Sequence, residues 1–476
     1  MPQPARATSA DRRGGFSVSS FDVAPDGRQI VFERRKSPLI TDYTTADLAL
    51  LDLESKQTRL LYEAPGADTS PRFSPDGRSV LFASTAGNTS SDFYKNGQIW
   101  VIPTAGGEPH RLAADFDEDP SDLEWAQSGI YFLGWQRTQR RVFRIDPASG
   151  QAEAVLTQPD LISGYAVSPD GQSFALSGFT ATTLPEIYRV DLGALQTRVL
   201  TRMTRQIEDW QLGTPELVSW PSQDGTTIEG VLHKPPGFDP KKRYPLLVVI
   251  HGGPTGIDTP EPVPGRIYPI VQWLAKGALV LRPNYRGSAG YGEAFRSLNV
   301  RNLGVGDAWD VLSGVDALVA RGIVDPKQAG AMGWSQGGYI SAYLTTTTDR
   351  FRAISVGAGI SNWTTYYVST DIHPFTRQYL EATPWDDPEI YARTSPMTFI
   401  KQARTPTLIQ HGENDRRVPI PNAYELYQGL LDQGVEAKLV VYKGFGHGID
   451  KPKELLAGVT HNWEWFARHL WGENEP

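Results

Sequence analysis

Gly333-Trp334-Ser335-Gln336-Gly337-Gly338-Tyr339 is the stretch on which the fold turns. It closes the strand candidate Ala329 to Gly333 and opens a helical run from Tyr339 to Thr345. A serine flanked by small residues at such a junction is what a sharp strand-to-helix turn demands, because larger side chains there would strike the backbone. The turn exposes the Ser335 hydroxyl. The helix behind it offers free N–H groups and a positive dipole end where an oxyanion would form.

A serine hydroxyl is a poor nucleophile at neutral pH and needs a base, which in turn needs an orienting carboxylate. With this kind of turn the chain order is serine, acid, histidine. Downstream, the strand candidate Thr407 to Gln410 runs into His411-Gly412-Glu413-Asn414-Asp415, and Ala437 to Tyr442 runs into Gly444-Phe445-Gly446-His447-Gly448. Asp415 and His447 therefore arrive at the sheet edge that carries Ser335. Glu413 and Asp450 are the alternative acids. His411 reads as a brace for the acid's loop, His461 and His469 as packing or surface residues of a helix-like end, and His110, His233 and His373 as remote from the nucleophile. Two oxyanion donors are expected: the N–H of Gln336, and the N–H of Gly253 in His251-Gly252-Gly253-Pro254, which follows the strand candidate Leu246 to Ile250.

Outward from these motifs, everything after Trp220 alternates strands with helical stretches, the pattern of a doubly wound, mostly parallel sheet. Val311, Val315, Leu318 and Val319 share one helix face, as do Ala423, Leu426, Tyr427 and Leu430. The expected fold of 216–476 is an α/β-hydrolase catalytic domain. Residues 1–215 have another texture: a Pro-Asp-Gly turn recurs at Ala24-Pro25-Asp26-Gly27, Ser74-Pro75-Asp76-Gly77 and Ser168-Pro169-Asp170-Gly171, with a degenerate copy at Ala126 to Gly129. Each turn precedes a β-rich run, and the spacing of about 42 to 52 residues is a blade period. The segment predicts a short all-β propeller-like domain of about four blades, with a β-sandwich as the alternative.

The composition (39% hydrophobic, 11% aromatic, 21% charged) is that of a globular chain. A net charge of −8 and short basic stretches such as Arg137 to Arg141 speak against nucleic acid as a partner. No apolar run approaches the roughly 20 residues of a membrane span. With no cysteine, disulfides, thiolate metal sites and a cysteine nucleophile are excluded. No metal or cofactor is implied: H-E-x-x-H and the P-loop are absent, and Gly287, Gly290 and Gly292 fall short of a nucleotide loop. Met1 to Gly15 lacks the apolar segment of a signal peptide, which gives a cytoplasmic expectation with a mature exported form left open.

Taken together, His251 to Pro254, Asn284-Tyr285-Arg286-Gly287-Ser288, Gly333 to Tyr339, His411-Gly412 with Asp415, and Gly446-His447-Gly448 resemble the prolyl oligopeptidase family of serine peptidases. The His-Gly-Gly-Pro form is similar to its acylaminoacyl-peptidase branch, where backbone rather than a tyrosine hydroxyl serves the oxyanion. The resemblance implies that Arg417 holds the carbonyl of the second acyl-side residue. It also implies that Val418, Ile360, Trp363 and Tyr366 build an apolar pocket for the first. Two departures stand out. The family's propellers commonly have seven or eight blades, leaving the access route here open, narrowed or completed by a second subunit. The paired glutamates of dipeptidyl-peptidase branches are also not found; Asp117-Glu118-Asp119 reads as a solvated loop. The expectation is a serine peptidase acting through an acyl-enzyme on short peptides, acylaminoacyl- or oligopeptides, with an apolar residue at the cleaved bond. A carboxylesterase on the same triad is the near alternative, and a propeller interaction module with an inert hydrolase domain the distant one. Expected partners are a short peptide or ester substrate, with no nucleic acid and no membrane; a homo-oligomer is left open.

Overall fold

The computed structural model describes residues 15–89, 93–146, 148–193, 196–265 and 267–473, so Met1 to Gly15, read above for a leader, lies outside the described residues except for Gly15. The chain divides into two units: residues up to 179 with 185–202, and 180–184 with 203 onward. The sequence placed the boundary near 215. The segment before Thr214 joins the second unit because Gly213 abuts the Lys234 carbonyl and Leu274, and the Thr204 hydroxyl accepts from the Leu184 N–H.

The first unit is four groups of four strands, antiparallel within each group: β1–β4 (Ser17–Val23, Gln29–Arg35, Asp47–Asp52, Thr58–Tyr62), β5–β8 (Asp68–Phe73, Ser79–Ser84, Gln98–Pro103, His110–Leu112), β9–β12 (Ser121–Ala126, Gly129–Gln136, Gln139–Ile145, Ala152–Leu156) and β13–β16 (Leu161–Val167, Ser173–Phe179, Glu186–Asp191, Gln196–Val199), the last two groups joined into one sheet by a short parallel contact between β11 and β13. The Pro-Asp-Gly turns do what their residues dictate. In each, the glycine has φ near +70° and its N–H returns to the residue before the proline, while the aspartate accepts from the backbone two residues on. Alternation along the strands then makes blades. Val80 and Phe82 of β6 face the core shared with β2 and β3, whereas Leu81 between them faces the core shared with β10 and β11. Ile130 and Phe132 join that second core, while Tyr131 and Leu133 turn to a third with Phe174 and Leu176. A flat sandwich has only one such interior. The acidic loop differs from its reading: Asp117 and Asp119 are exposed, but Glu118 is 2% exposed, because both neighbours are tied to the turn at Asn96 and Gly97.

The second unit is an eight-stranded sheet, β17–β24 (Thr214–Pro221, Thr227–Lys234, Tyr244–Ile250, Leu279–Asn284, Val324–Trp334, Ala353–Gly357, Thr407–Gly412, Ala437–Tyr442), in the order β17-β18-β20-β19-β21-β22-β23-β24. Only the first two pairings are antiparallel; the rest are parallel. Near-continuous apolar strands such as Leu246 to Ile250 need cover on both faces. Helices Ile270–Ala275 and Pro452–Trp471 supply Trp273, Leu274, Trp465, Phe466 and Leu470 to a core with Leu247, Val280 and Met332. Helix Gly306–Ala320 contributes buried Val311, Val315 and Leu318. No described helix is long and apolar enough to cross a membrane.

A buried ion pair ties the antiparallel edge to this helix. Arg286, 1% exposed, meets Asp310 through Nε at 2.9 Å and Nη2 at 2.8 Å, and Asp224 through Nη1 at 2.8 Å. The Ser222 hydroxyl donates to Asp310 at 2.6 Å and the Trp220 indole to its backbone carbonyl at 2.9 Å. Removing one partner strands the other charge in the interior. Arg286→Met is therefore expected to cost about 3–5 kcal/mol in urea unfolding; a loss below about 1 kcal/mol would mean the network is dispensable.

Candidate active site

Ser335 leaves β21 with φ 61° and ψ −119°, a backbone conformation that side-chain-bearing residues rarely hold. Packing enforces it. The Ser335 N–H donates to the Gly357 carbonyl at 2.9 Å, and its own carbonyl accepts from Tyr339 at 2.8 Å, opening the helix Gln336–Thr347. A Cβ at Gly337 would collide with the carbonyl oxygens of Ile250 and His251, and one at Gly333 with the backbone of Gly337. The parallel order then ends β19, β21, β23 and β24 at one edge of the sheet, with β19 next to β21 and β22 between β21 and β23.

His447 Nε2 lies 2.9 Å from Ser335 Oγ, and its Nδ1 lies 2.7 Å from Asp415 Oδ2. Asp415 is 5% exposed, and its Oδ1 accepts from the backbone N–H of Arg417 at 2.9 Å and of Val418 at 3.0 Å. Burial alone would raise this carboxyl. Hydrogen bonds from His411 and His447 and from the Val418 N–H outweigh it and hold the group at about 2. His411 is fully buried and sits 2.7 Å from the Val418 carbonyl, 3.5 Å from Asp415, so it fixes the turn that aims the acid. Glu413 instead accepts from the Gly444 N–H at 3.0 Å, and Asp450 is exposed. His233 is buried and held neutral by desolvation, His373 caps onto the Tyr367 carbonyl, and His469 packs on Trp465.

Gly253 has φ 133°, a region that favours glycine, and its N–H makes no hydrogen bond among the described residues. Gly252 beside it approaches the Trp334 carbonyl and Ser335 Cβ so closely that a Cβ would crowd both. Gln336 is the first residue of its helix, where N–H groups lack an intrahelical acceptor. Its side chain turns away to Asp307, 3.5 Å off, which leaves the backbone N–H as its contribution. The loop is held by Asn284 to Ser288. The Tyr285 hydroxyl donates to the His251 carbonyl at 3.0 Å, its ring stacks on His251 at 4.4 Å, and Ser288 Oγ meets His251 Nε2 at 3.0 Å.

Ser335, His447 and Gly253 open on a cavity of about 1200 Å³. The five residues expected to bind the acyl side are not in its wall. Arg417 is paired with Asp371 at 2.8 Å, while Ile360, Trp363, Tyr366 and Val418 are all buried. Trp363 makes edge contacts with Tyr339 and Tyr366 and donates to the Thr394 carbonyl at 3.1 Å.

Sequence reasoning passed over Trp334, although it lies inside the opening motif. Its indole Nε1 donates to the backbone carbonyl of His447 at 2.8 Å, and its ring rests on Gly357. The histidine loop has glycines at 444, 446 and 448, so this bond restrains an otherwise pliant segment. The signal was available: a tryptophan beside a nucleophile carries one N–H that must find an acceptor.

Two predictions follow from this geometry. Trp334→Phe keeps the ring and loses the donor; kcat should fall roughly 10- to 100-fold with KM within about twofold, since the base is displaced but the binding surface is kept. An unchanged kcat would remove Trp334 from the positioning network. Because Asp415 is held at about 2, below the roughly 3.9 of a free carboxyl, its ionised form stabilises the fold fully above about pH 4 and ceases to as pH falls through 2. The stability gap between the wild type and Asp415→Asn, measured by denaturant unfolding, should therefore narrow from pH 4 to pH 2. A constant gap would contradict the assignment.

Comparison with known proteins agrees with this architecture. Residues 267–473 match the prolyl oligopeptidase family. The uncharacterized peptidase YuxL of Bacillus subtilis is 30% identical over 72% of this chain and 52% of its own length, and dipeptidyl-peptidase 5 of Porphyromonas gingivalis is 26% identical over 95% and 67%. The chain thus spans about half the length of the first and two thirds of the second. Among solved structures, a puromycin hydrolase superposes with a TM-score of 0.78 at 21% identity over 96% of this chain and 70% of that one. The acylaminoacyl peptidase of Pyrococcus horikoshii does so at 0.73 and 20%, over 96% and 90%. These structural likenesses bear on the fold. The match to the prolyl oligopeptidase family is carried by the catalytic unit, over residues 267–473.

Proposed function

We propose that the protein is a serine peptidase that cleaves short peptides, acylaminoacyl- or oligopeptides with an apolar residue at the cleaved bond, through an acyl-enzyme on Ser335. The observation that carries this reading is the unbroken line from Asp415 through His447 to Ser335, ending in a cavity that also presents Gly253. Ser335 Oγ attacks the carbonyl carbon as its proton passes to His447 Nε2. The charge developing on the carbonyl oxygen meets the N–H groups of Gly253 and Gln336, donors fixed before the reaction begins. His447 then gives its proton to the leaving nitrogen as the C–N bond breaks, and water repeats the sequence to free the acyl half. Asp415 stays ionised throughout and keeps the imidazole in the tautomer that accepts at Nε2.

A second reading, release of dipeptides from a free amino terminus, is favoured by the relative named dipeptidyl-peptidase 5, whose match covers 95% of this chain. Matched chromogens with free and N-acetylated amino termini separate the two. Faster turnover of the acetylated member supports the first reading, and turnover of the free amine alone supports the second. For either, Ser335→Ala should lose at least about 1000-fold in turnover together with covalent labelling by a serine-directed phosphonate, while circular dichroism stays unchanged. Labelling that persists in the variant would move the nucleophile elsewhere.

A further inference from the structure

Resting on the peptidase reading, we infer that the cavity beside His447 is the subsite for the first residue of the leaving half, and that it selects a large apolar side chain there. Ser335 stands at the sheet edge with β19 on one side of β21 and β22 on the other. The five residues that the resemblance assigns to the acyl side follow β22 and β23, and none of them is in the cavity wall. The wall is built mainly from the loop after β19, from His447 to Asp450, and from Leu455. Proton transfer fixes which half of the substrate lies here. The leaving nitrogen takes its proton from His447 Nε2, so the departing residue lies against the histidine loop.

Four aliphatic side chains give this space its character. Ile257 and Val263 line it from the loop after β19, Ile449 and Leu455 from the histidine side. All four are only half-buried, which leaves apolar surface open. The charged groups of the opposite wall are already matched: Arg282 meets Asp258 at 2.5 Å and Glu261 at 2.9 Å, and Asp258 is 6% exposed. Asp450 is exposed, where an ion pair gains little. A charged side chain would therefore shed its hydration on entering for little return. Leucine or norleucine would instead remove from water both its own surface and that of the four aliphatic residues.

The wall is formed before substrate arrives. Between Ile257 and Val263 the chain is pinned: Asn284 accepts from the Asp258 N–H at 2.7 Å and donates to its carbonyl at 2.9 Å, and Arg282 Nη1 meets the Thr259 carbonyl at 3.3 Å. Pro260 and Pro262 fix φ in the same stretch, and the Gly256 carbonyl just before it accepts from the Ala289 N–H at 3.1 Å. The buried ion pairs thus brace the pocket rather than bind in it, and its ordering cost is met in folding. A volume of about 1200 Å³ has room for a leucine-sized side chain and for part of the chain beyond it.

The test uses peptides of one acyl sequence whose first leaving residue is leucine, norleucine, alanine, lysine or glutamate, alongside the same acyl group on p-nitroaniline. The wild type should show kcat/KM about 10-fold higher for leucine and norleucine than for alanine, with lysine and glutamate no better than alanine. In Val263→Ser and in Leu455→Ser the leucine-to-alanine ratio should fall to about threefold or less, while the ranking of acyl residues, read with the leaving residue held constant, stays as in the wild type. A ratio within one variant is independent of how much of it is folded, and if one variant does not fold the other carries the comparison. Normal p-nitroanilide turnover with alanine equal to leucine, or with lysine ahead of norleucine, overturns this inference and leaves the peptidase reading standing. So does a leucine preference that neither variant reduces. Failure on every peptide in the series, with or without p-nitroanilide turnover, overturns both.

Discussion

The active site depends on one backbone constraint, the left-handed conformation of Ser335 between β21 and its helix. That conformation is costly for a residue with a side chain, on the order of 1–3 kcal/mol, and holds only where the surroundings over-determine it. Here they do: the Ser335 N–H is bound to Gly357, its carbonyl starts the helix, and Gly333 and Gly337 let β21, the helix and the end of β19 approach to distances no Cβ would allow. The same closeness places Gly252 against Ser335, so nucleophile and oxyanion loop are fixed by one packing arrangement.

Around this turn the other groups are placed by backbone bonds rather than by side-chain reach alone. His251 is held by Tyr285 and Ser288, Asp415 by the N–H groups of Arg417 and Val418, and the His447 loop by the Trp334 indole. Arg286, which the family resemblance marked without a role, pairs with Asp310 and Asp224 and so fastens the loop that carries Tyr285 and Ser288 to the edge of the sheet. Positioning thus runs outward from the reacting atoms to a buried ion pair that touches none of them.

Much of this was legible in the sequence for physical reasons. Ser335, Asp415 and His447 follow strands whose apolar runs are unmistakable, and parallel order sends all three strand ends to one edge. The Pro-Asp-Gly turns announced four repeats because each residue type has a specific backbone task there. What escaped were features that depend on tertiary approach. The strands β17 and β18 lack a strong apolar run, and Glu118 is buried by ties that its two neighbours make to a distant turn. Trp334 hid behind a motif that specifies its neighbours and not itself. Asp258, Glu261 and Arg282 lie in a Pro-rich loop and on the adjacent strand, with no local pattern to mark them as the wall of a cavity.

The central claim is that Ser335, reached from His447, attacks a carbonyl whose oxygen turns toward Gly253 and Gln336. A crystal structure of the protein after reaction with a peptidyl phosphonate tests it most directly. The account predicts continuous density from Ser335 Oγ to phosphorus, with one phosphoryl oxygen within about 3 Å of both backbone nitrogens. An adduct on another residue, or an oxygen directed away from Gly253 and Gln336, would contradict it.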